Sequence, residues 1–291
     1  MKKLFVVMLF ALSGAAQAAP DTLNFCTGGV GGFYESLGDA IGKSIVKGTS
    51  ATSAVVNTGG SVENAELMKD GECDIAIMQA DAVVTLPLPT DVKVVDAHTE
   101  MVYWLHGTKG VDDFGKMEND SVASKYALAT VSGSGALVTL RNWTETDADY
   151  KGVVIVEFDD WYAAAEAVAQ GYVKKAGVTV EIAGMLYPTR PGKLTTDITE
   201  DFGEQIRIGE VNDDSFGNAK DANGNPLYVH CSVASDQTGG LKTSTITAPD
   251  TYCMRAQVVY NNEWHAQAGK DGKKLRRAVD KGINSVVKAV R

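Results

Sequence analysis

The sequence has little basic charge, few histidines and, beyond its first residues, no long apolar run. Against 27 Lys and Arg stand 37 Asp and Glu, a net charge of −10. An acidic surface of this kind argues against nucleic acid and anionic lipid as partners. The four histidines, His98, His106, His230 and His265, are scattered without metal-ligand spacing, so no metal site is expected. No CxxC pair occurs either, which removes the usual zinc and dithiol signatures.

Enzyme motifs are also missing. TGGVGG lacks the G-x-G-x-x-G spacing of a dinucleotide loop whether counted from Gly28 or Gly29, and no acidic residue closes SAVVNT, the strand where a ribose partner belongs. VSGSGA would be a nucleophile elbow centred on Ser134 only with glycine at 132, where Ser132 stands. In DANGNP, Pro226 takes the obligatory glycine place of a calcium loop and Ser232 the place of its terminal glutamate, so the segment reads as a turn. Neither a cofactor nor an enzymatic activity is expected.

What is present begins with an export signal. Lys2 and Lys3 precede the apolar run LFVVMLFAL, and the small residues that follow end in Ala16-Gln17-Ala18, a pattern cut before Ala19. The apolar core of about nine residues falls short of the roughly 20 that span a bilayer. Residues 1–18 are therefore expected to be removed and the mature chain to reside in the periplasm, with 25 basic against 37 acidic residues. With 44% hydrophobic residues it can build a true core, and its length fits one or two domains.

An oxidising compartment invites disulfides among Cys26, Cys73, Cys231 and Cys253. Cys231 in YVHCSV and Cys253 in YCMRAQVVY lie on strand-like segments with a polar connection between them, which makes them the preferred pair. Cys26 should end one strand and Cys73 begin another; on parallel neighbours such positions lie too far apart to bridge.

After the signal, strand and helix patterns alternate. TLNFCT, SAVVNT and CDIAIMQ read as strands, and ESLGDAIGKSIVK between the first two repeats Leu37, Ile41 and Ile45 on one helical face. A more polar connector follows, and then YALATV, a small-residue loop, a helix with Leu137, Leu140 and Trp143, VVIVEF, WYAAAEAVAQG and VTVEIAGM repeat the plan. Two α/β units predict two lobes, with ligands bound at the carboxyl ends of the strands, where the glycine-rich loops lie. The tail GKKLRRAVDKGINSVVKAVR is a packing helix with Leu275, Val279, Ile283, Val286 and Val290 at helical spacing.

Three loops at strand ends offer free backbone N–H groups at helix amino termini: Gly28 to Tyr34, Thr58 to Asn64 and Ser132 to Gly135. Such termini attract negative charge, worth about 0.3 to 1 kcal/mol per exposed charge. The hydroxyls of Thr58, Ser61, Ser132 and Ser134 are candidate hydrogen-bond donors, with Phe33, Tyr34 and Trp161 as cleft walls.

The run TGGVGGFYESLGDAIG, followed by VVNTGGSVENAELMKDGECDIAIMQAD, resembles the amino-terminal signature of the TAXI family of solute receptors, the TRAP-associated extracytoplasmic immunogenic proteins. VSGSGALVTLRNW and AGMLYP resemble parts of that family's second lobe, so the likeness covers most of residues 22–190. The resemblance implies an α/β fold of the type II periplasmic binding protein class with two lobes around a ligand cleft: 19–105 and 229–291 forming lobe 1, and 106–228 lobe 2. It implies a monomer that captures a small organic anion or amino acid of the glutamate or 2-oxoglutarate type and delivers it to TRAP membrane subunits. The same fold serving a sensor or an exported enzyme is the alternative. The candidate ligand-binding set is Thr27, Gly28, Gly29, Gly31, Gly32, Phe33, Tyr34, Thr58, Gly59, Ser61, Asn64, Gln79, Asp81, Ser132, Gly133, Ser134, Gly135 and Trp161. Two departures stand out: Glu35, where the family commonly has proline or a small residue, and Tyr172 to Lys175 after Gly171, where it tends to place Asp-Ala.

Overall fold

The computed structural model describes residues 21–263 and 269–291; the export signal and His265 lie outside the described residues. In chain order the main elements are β1 (Thr22–Cys26), α1 (Phe33–Val46), β2 (Thr52–Val56), α2 (Ser61–Lys69), β3 (Ile75–Gln79), α3 (Ala80–Thr85) and β4 (Val92–Gly107). There follow α4 (Asp120–Ala123), β5 (Tyr126–Val131), α5 (Gly135–Thr146), β6 (Val154–Phe158), α6 (Trp161–Gln170), β7 (Tyr172–Lys175), β8 (Val178–Thr189) and β9 (Ile206–Gly209). The chain ends in β10 (Val229–Ser232), β11 (Lys242–Thr243), β12 (Asp250–Asn261) and α7 (Gly269–Val290).

One sheet runs through the molecule in the order β2-β1-β3-β12-β4-β8-β5-β6. Its two ends are parallel: β1 pairs with β2 and β3, and β5 pairs with β6 and β8. Between them lie two long antiparallel strands. β12 joins β3 on one side and β4 on the other, and β4 in turn joins β8 and β9. The segment expected as a polar connector is thus largely the central strand β4, whose far half, from Ala97 to Gly107, is buried apart from Thr99. Asp96, His98 and Glu100 break its apolar pattern, which is why it does not read as a strand.

The chain passes from the first α/β unit to the second along β4 and returns along β12. The segment between β10 and β12 stays with the second unit: Val233 and Leu241 pack in one cluster with Tyr103, Ala129 and Ile206. The first unit closes around Leu23, Phe25, Leu37, Ile41, Ile45 and Ile77 together with Leu275, Val279, Ile283 and Val287 of α7. α1 lies close on the sheet because Gly38 faces it; a Cβ there would come within 2.6 Å of Thr27 Cγ2. The departure after Gly171 is a hairpin in which Ala176 (φ 49°) and Gly177 (φ 82°) turn β7 into β8, a type I′ arrangement. Two α/β units joined by exchanged antiparallel strands make this a mixed α/β architecture. Among the described residues, no helix is long and apolar enough to cross a membrane.

Both cysteine pairs are joined. Cys231 pairs with Cys253 diagonally across β10 and β12, where Cys231 stands opposite Thr251 and Cys253 opposite Val229, with the cysteine Cα atoms 5.9 Å apart. Cys26 is bonded to Cys73, also at a Cα separation of 5.9 Å, although β1 and β3 are parallel neighbours. The expected obstacle assumed that Cys73 lies on the strand. It sits instead two residues before β3, where the turn through Gly71 lays it over the same face as Cys26, among Ala65, Met68 and Ala76.

Candidate functional site

The amino ends of α1, α2, α5 and α6 meet at one cleft of about 150 Å³. Gly28, Gly29, Gly32, Phe33 and Tyr34 line it from the first loop, Gly59, Gly60 and Ser61 from the second, and Ser134, Gly135 and Ala136 from the third. Gln79, Glu100, Trp161, Pro188, Thr189 and Arg190 complete the wall. The cleft is closed: Val62 N donates to Gly133 O across the two units at 3.1 Å.

Two of the helix starts present their donors uncapped. The residues before α1 and α2 are Gly32 and Gly60, which have no side chain to accept from the first turn. Their leading N–H groups therefore lack a side-chain partner, although in α2 Val62 N is taken by the Gly133 carbonyl. α5 differs, because Ser134 Oγ accepts from Leu137 N at 3.2 Å and donates to Val131 O at 2.6 Å.

The floor is polar and nearly dry. Gln79 Nε2 donates to Glu100 Oε2 at 2.8 Å, and Gln79 N donates to Ser61 Oγ at 3.2 Å. His98 Nε2 lies 3.4 Å from Glu100 Oε1 without hydrogen-bond geometry. Glu100 is 4% exposed and His98 6%. Two buried polar atoms of the lining have no hydrogen-bond partner, Tyr34 Oη and Gln79 Oε1, and neither do the ring nitrogens of His98, which stands beside the floor and does not line the cleft. Burial, and after it the Glu100 carboxylate, push the Tyr34 phenol well above its ordinary pKa. Gly135 is required by this floor, since a Cβ would fall 2.0 Å from Gln79 Oε1 and 2.8 Å from Ser61 Oγ.

Aromatic rings and one cation close the mouth. Phe33 meets His98 edge-on at 4.8 Å, and Trp161 meets Tyr187 at 4.7 Å. The Arg190 guanidinium lies over the Phe33 ring, 4.0 Å from its centroid, a cation–π contact that holds a positive charge at the rim.

Several residues named from sequence take other places. Asn64 Nδ2 donates to Thr27 O at 2.6 Å and to Ile77 O at 2.8 Å, and Thr58 Oγ1 donates to Asn64 Oδ1 at 2.6 Å. Thr27, Thr58 and Asn64 therefore tie the ends of β1 and β3 together behind the cleft. Asp81 is fully buried away from it, accepting from Thr139 Oγ1 at 2.6 Å and Tyr228 Oη at 2.8 Å. Ser132 Oγ donates to Glu157, and the Gly133 carbonyl receives Val62. Gly31 N donates to Glu35 Oε2 at 2.6 Å, so Glu35 folds back on its own loop and is not among the cleft-lining residues.

Glu100, His98 and Arg190 are not in the sequence-derived set. Glu100 and His98 carried a signal, a carboxylate and an imidazole in the segment preceding MVYWLHG, but placing them requires knowing that this segment is a strand. Arg190 follows AGMLYP, whose strand ends at the cleft; nothing local distinguishes it from any surface arginine.

A family model described as the NMT1-like family matches residues 25–85. No curated protein matches the chain. Among solved structures, the chain is similar to the GluR0 ligand-binding core in complex with L-glutamate, at 10% identity over 94% of this chain and 98% of that one, with a TM-score of 0.48. It is also similar to the regulatory domain of Synechocystis CcmR in complex with 2-PG (12% identity, 93% and 97% covered, TM-score 0.47). A third is the VFT2 domain of Bordetella pertussis BvgS (11% identity, 93% and 94% covered, TM-score 0.45).

Proposed function

We propose that the protein is an exported solute receptor that closes on a small amino acid or organic anion and delivers it to a TRAP-type membrane transporter. The observation that carries the binding role is the pair of buried atoms in the cleft lining that make no hydrogen bond, Tyr34 Oη and Gln79 Oε1. Buried polar groups are ordinarily paired, and a site that leaves two unpaired side by side is built to receive a partner. No nucleophile with an activating base lies among them, which favours capture over turnover.

The arrangement also orders the candidate ligands. Uncapped helix termini and Arg190 offer positive potential to a carboxylate, while buried Glu100 offers an acceptor on the floor. An α-amino acid meets both, its ammonium toward Glu100; a plain dicarboxylate meets only the first. Thermal unfolding of the mature protein with L-glutamate, L-glutamine, 2-oxoglutarate and succinate tests this. At 100 times Kd a ligand adds about 2.7 kcal/mol. The amino acids should bind more tightly than 2-oxoglutarate, and Glu100→Gln should remove the preference, a charge-assisted bond being worth about 1.5 to 3 kcal/mol. Silence with all four sinks the receptor reading, and equal affinity for glutamate and 2-oxoglutarate sinks the role of Glu100. Delivery is checked by uptake into vesicles holding TRAP membrane subunits, which should require the added receptor.

A further inference from the structure

The terminal helix reverses the charge balance of the chain. Residues 269–291 hold eight Lys and Arg against two Asp, a net charge of +6, whereas the whole chain carries −10 and residues 1–268 therefore −16. The core side of α7 is already occupied: Leu275, Val279, Ile283 and Val287 pack in one cluster with Phe25, Leu37 and Ile41. Six cations take the other side. Lys270, Lys273, Lys274, Arg277, Lys281 and Lys288 are all exposed. At about 100° per residue they fall within an arc of about 100°, roughly opposite the core residues, and neither Asp271 nor Asp280 lies inside it. From Lys270 to Lys288 the stripe runs about 27 Å at about 1.5 Å per residue.

These charges are unmatched, and they work against the helix that carries them. The chain pairs other surface cations, Lys116 with Asp112, Arg141 with Glu157 and Lys242 with Glu204. Among the described residues none of the six has an acidic partner, and Asp280 is taken on the flank by Arg276, Lys93 and Tyr260. Lys270 and Lys274, Lys273 and Arg277, and Arg277 and Lys281 stand four residues apart on α7. Like charges at that spacing destabilise a helix, and opposite charge brought from outside relieves the repulsion.

The shape of the stripe selects what brings it. The stripe is one helix wide, about 10 Å, and the rest of the molecule is acidic, so a flat anionic membrane meets repulsion on either side of it. A second helix with acidic residues three and four apart matches both the width and the spacing. At its far end the stripe runs into a groove of about 490 Å³ lined by Arg190, Arg255 and Arg291 together with Asp96. Arg190 directly follows β8 of the second unit, so a segment running on past α7 touches both units.

We propose that α7 and the arginine groove form a docking surface for an acidic helical segment of a partner protein. This goes beyond solute capture and does not depend on what fills the cleft. The probe is an alanine-based peptide of about 22 residues with glutamates three and four apart, set against the same peptide with glutamines. Fluorescence anisotropy of the labelled peptides reports binding to the mature protein. The glutamate peptide should bind at least about 10-fold more tightly than the glutamine one. Its affinity should fall several-fold as the Debye length shrinks from about 30 Å at 0.01 M salt to about 8 Å at 0.15 M. Lys274→Glu with Arg277→Glu and Lys281→Glu should cut affinity at least about 10-fold, three exposed attractions having become repulsions. The same number of reversals on the second unit, Lys151→Glu with Lys193→Glu and Lys220→Glu, should leave it within about threefold at 0.15 M salt. Amide shift changes in the native protein should centre on 270–288, a readout that needs no variant. The proposal is overturned if the glutamate peptide does not bind, if the glutamine peptide matches it, if the second-unit variant is impaired as much as the α7 variant, or if the shift changes fall elsewhere. Tighter binding to phosphatidylglycerol vesicles than to the peptide also overturns it, in favour of a lipid surface.

Discussion

The loops CTGGVGGFY and VSGSGA share one grammar, small residues between a strand and a helix, yet the structure uses them differently. The first leads into α1 through Gly32, which caps nothing, so the helix start stays open to the cleft. The second leads into α5 through Ser134, whose hydroxyl is spent twice within its own turn. Ser132 is held by Glu157, and the Gly133 carbonyl takes the N–H of Val62 from the opposite unit. One jaw presents donors; the other supplies the surface that shuts on them. A single residue type at the N-cap separates the two, because serine satisfies the amide that glycine leaves exposed.

The largest expected effect concerns what holds each jaw in place. Cys26 directly precedes the first loop and is bonded to Cys73 across 47 positions, whereas Cys231 and Cys253 are separated by 22. Loop closure in the unfolded chain predicts a loss of about 4 kcal/mol for Cys26→Ala with Cys73→Ala, against about 3 kcal/mol for Cys231→Ala with Cys253→Ala. Burial adds to the difference, since Cys26 and Cys73 are 0% and 2% exposed. Urea denaturation of the two double variants gives the order. If the second pair proves the costlier, the first jaw does not depend on its covalent anchor.

The first jaw was legible in sequence and the floor beneath it was not. Glycines at strand ends declare themselves, because few other residues permit such close approach. Thr58 and Asn64 announce polar chemistry equally well, but only coordinates reveal that they satisfy the carbonyls of Thr27 and Ile77 inside the fold. His98 and Glu100 point the other way: their polarity hid β4, and the strand that carries them delivers Glu100 to the cleft and His98 against Phe33 of its wall. The Cys26–Cys73 bond was missed for a related reason, since strand spacing says nothing about a residue on the turn before the strand. Pattern reading thus located the two units and their loops, while the long-range pairings of β4 and β12 decided which polar groups meet.

A smaller effect separates capping from binding. Ser134→Ala should lower stability by about 1 kcal/mol, the usual worth of an N-cap, and leave ligand affinity within about twofold, because its hydroxyl is already committed. Ser61→Ala should lower both stability and affinity, because it also leaves the buried Gln79 N–H without an acceptor. Ser61 Oγ accepts from Gln79 N and keeps its proton for the cleft, so its loss should weaken ligand binding by about 0.5 to 1.5 kcal/mol. Comparing unfolding midpoints with titrated affinities for both variants checks the contrast. A Ser134→Ala protein of normal stability and impaired affinity would make the two jaws alike.

The smallest effect is a pH slope set behind both jaws. Asp81, on α3, accepts from Ala82 N, from Thr139 on α5 and from Tyr228, linking the first unit to the second. Burial raises its carboxyl above the ordinary range, and the hydrogen bonds from Thr139 and Tyr228 offset this only in part. The native state therefore holds a proton at pH values where the unfolded chain, titrating near 3.9, has released it. Where the native state binds more protons, stability falls as pH rises. The contribution of this group is full below the unfolded value and is lost as pH climbs through the raised native one. Asp81→Asn keeps an acceptor for Thr139 and Tyr228 but cannot ionise, so it should lack that slope. Urea denaturation of native and variant proteins from about pH 4 upward should show their difference moving in favour of the variant as pH rises. A difference that moves the other way would mean that the ionised carboxylate is what joins α3 to α5, and that charge rather than burial governs the contact behind the jaws.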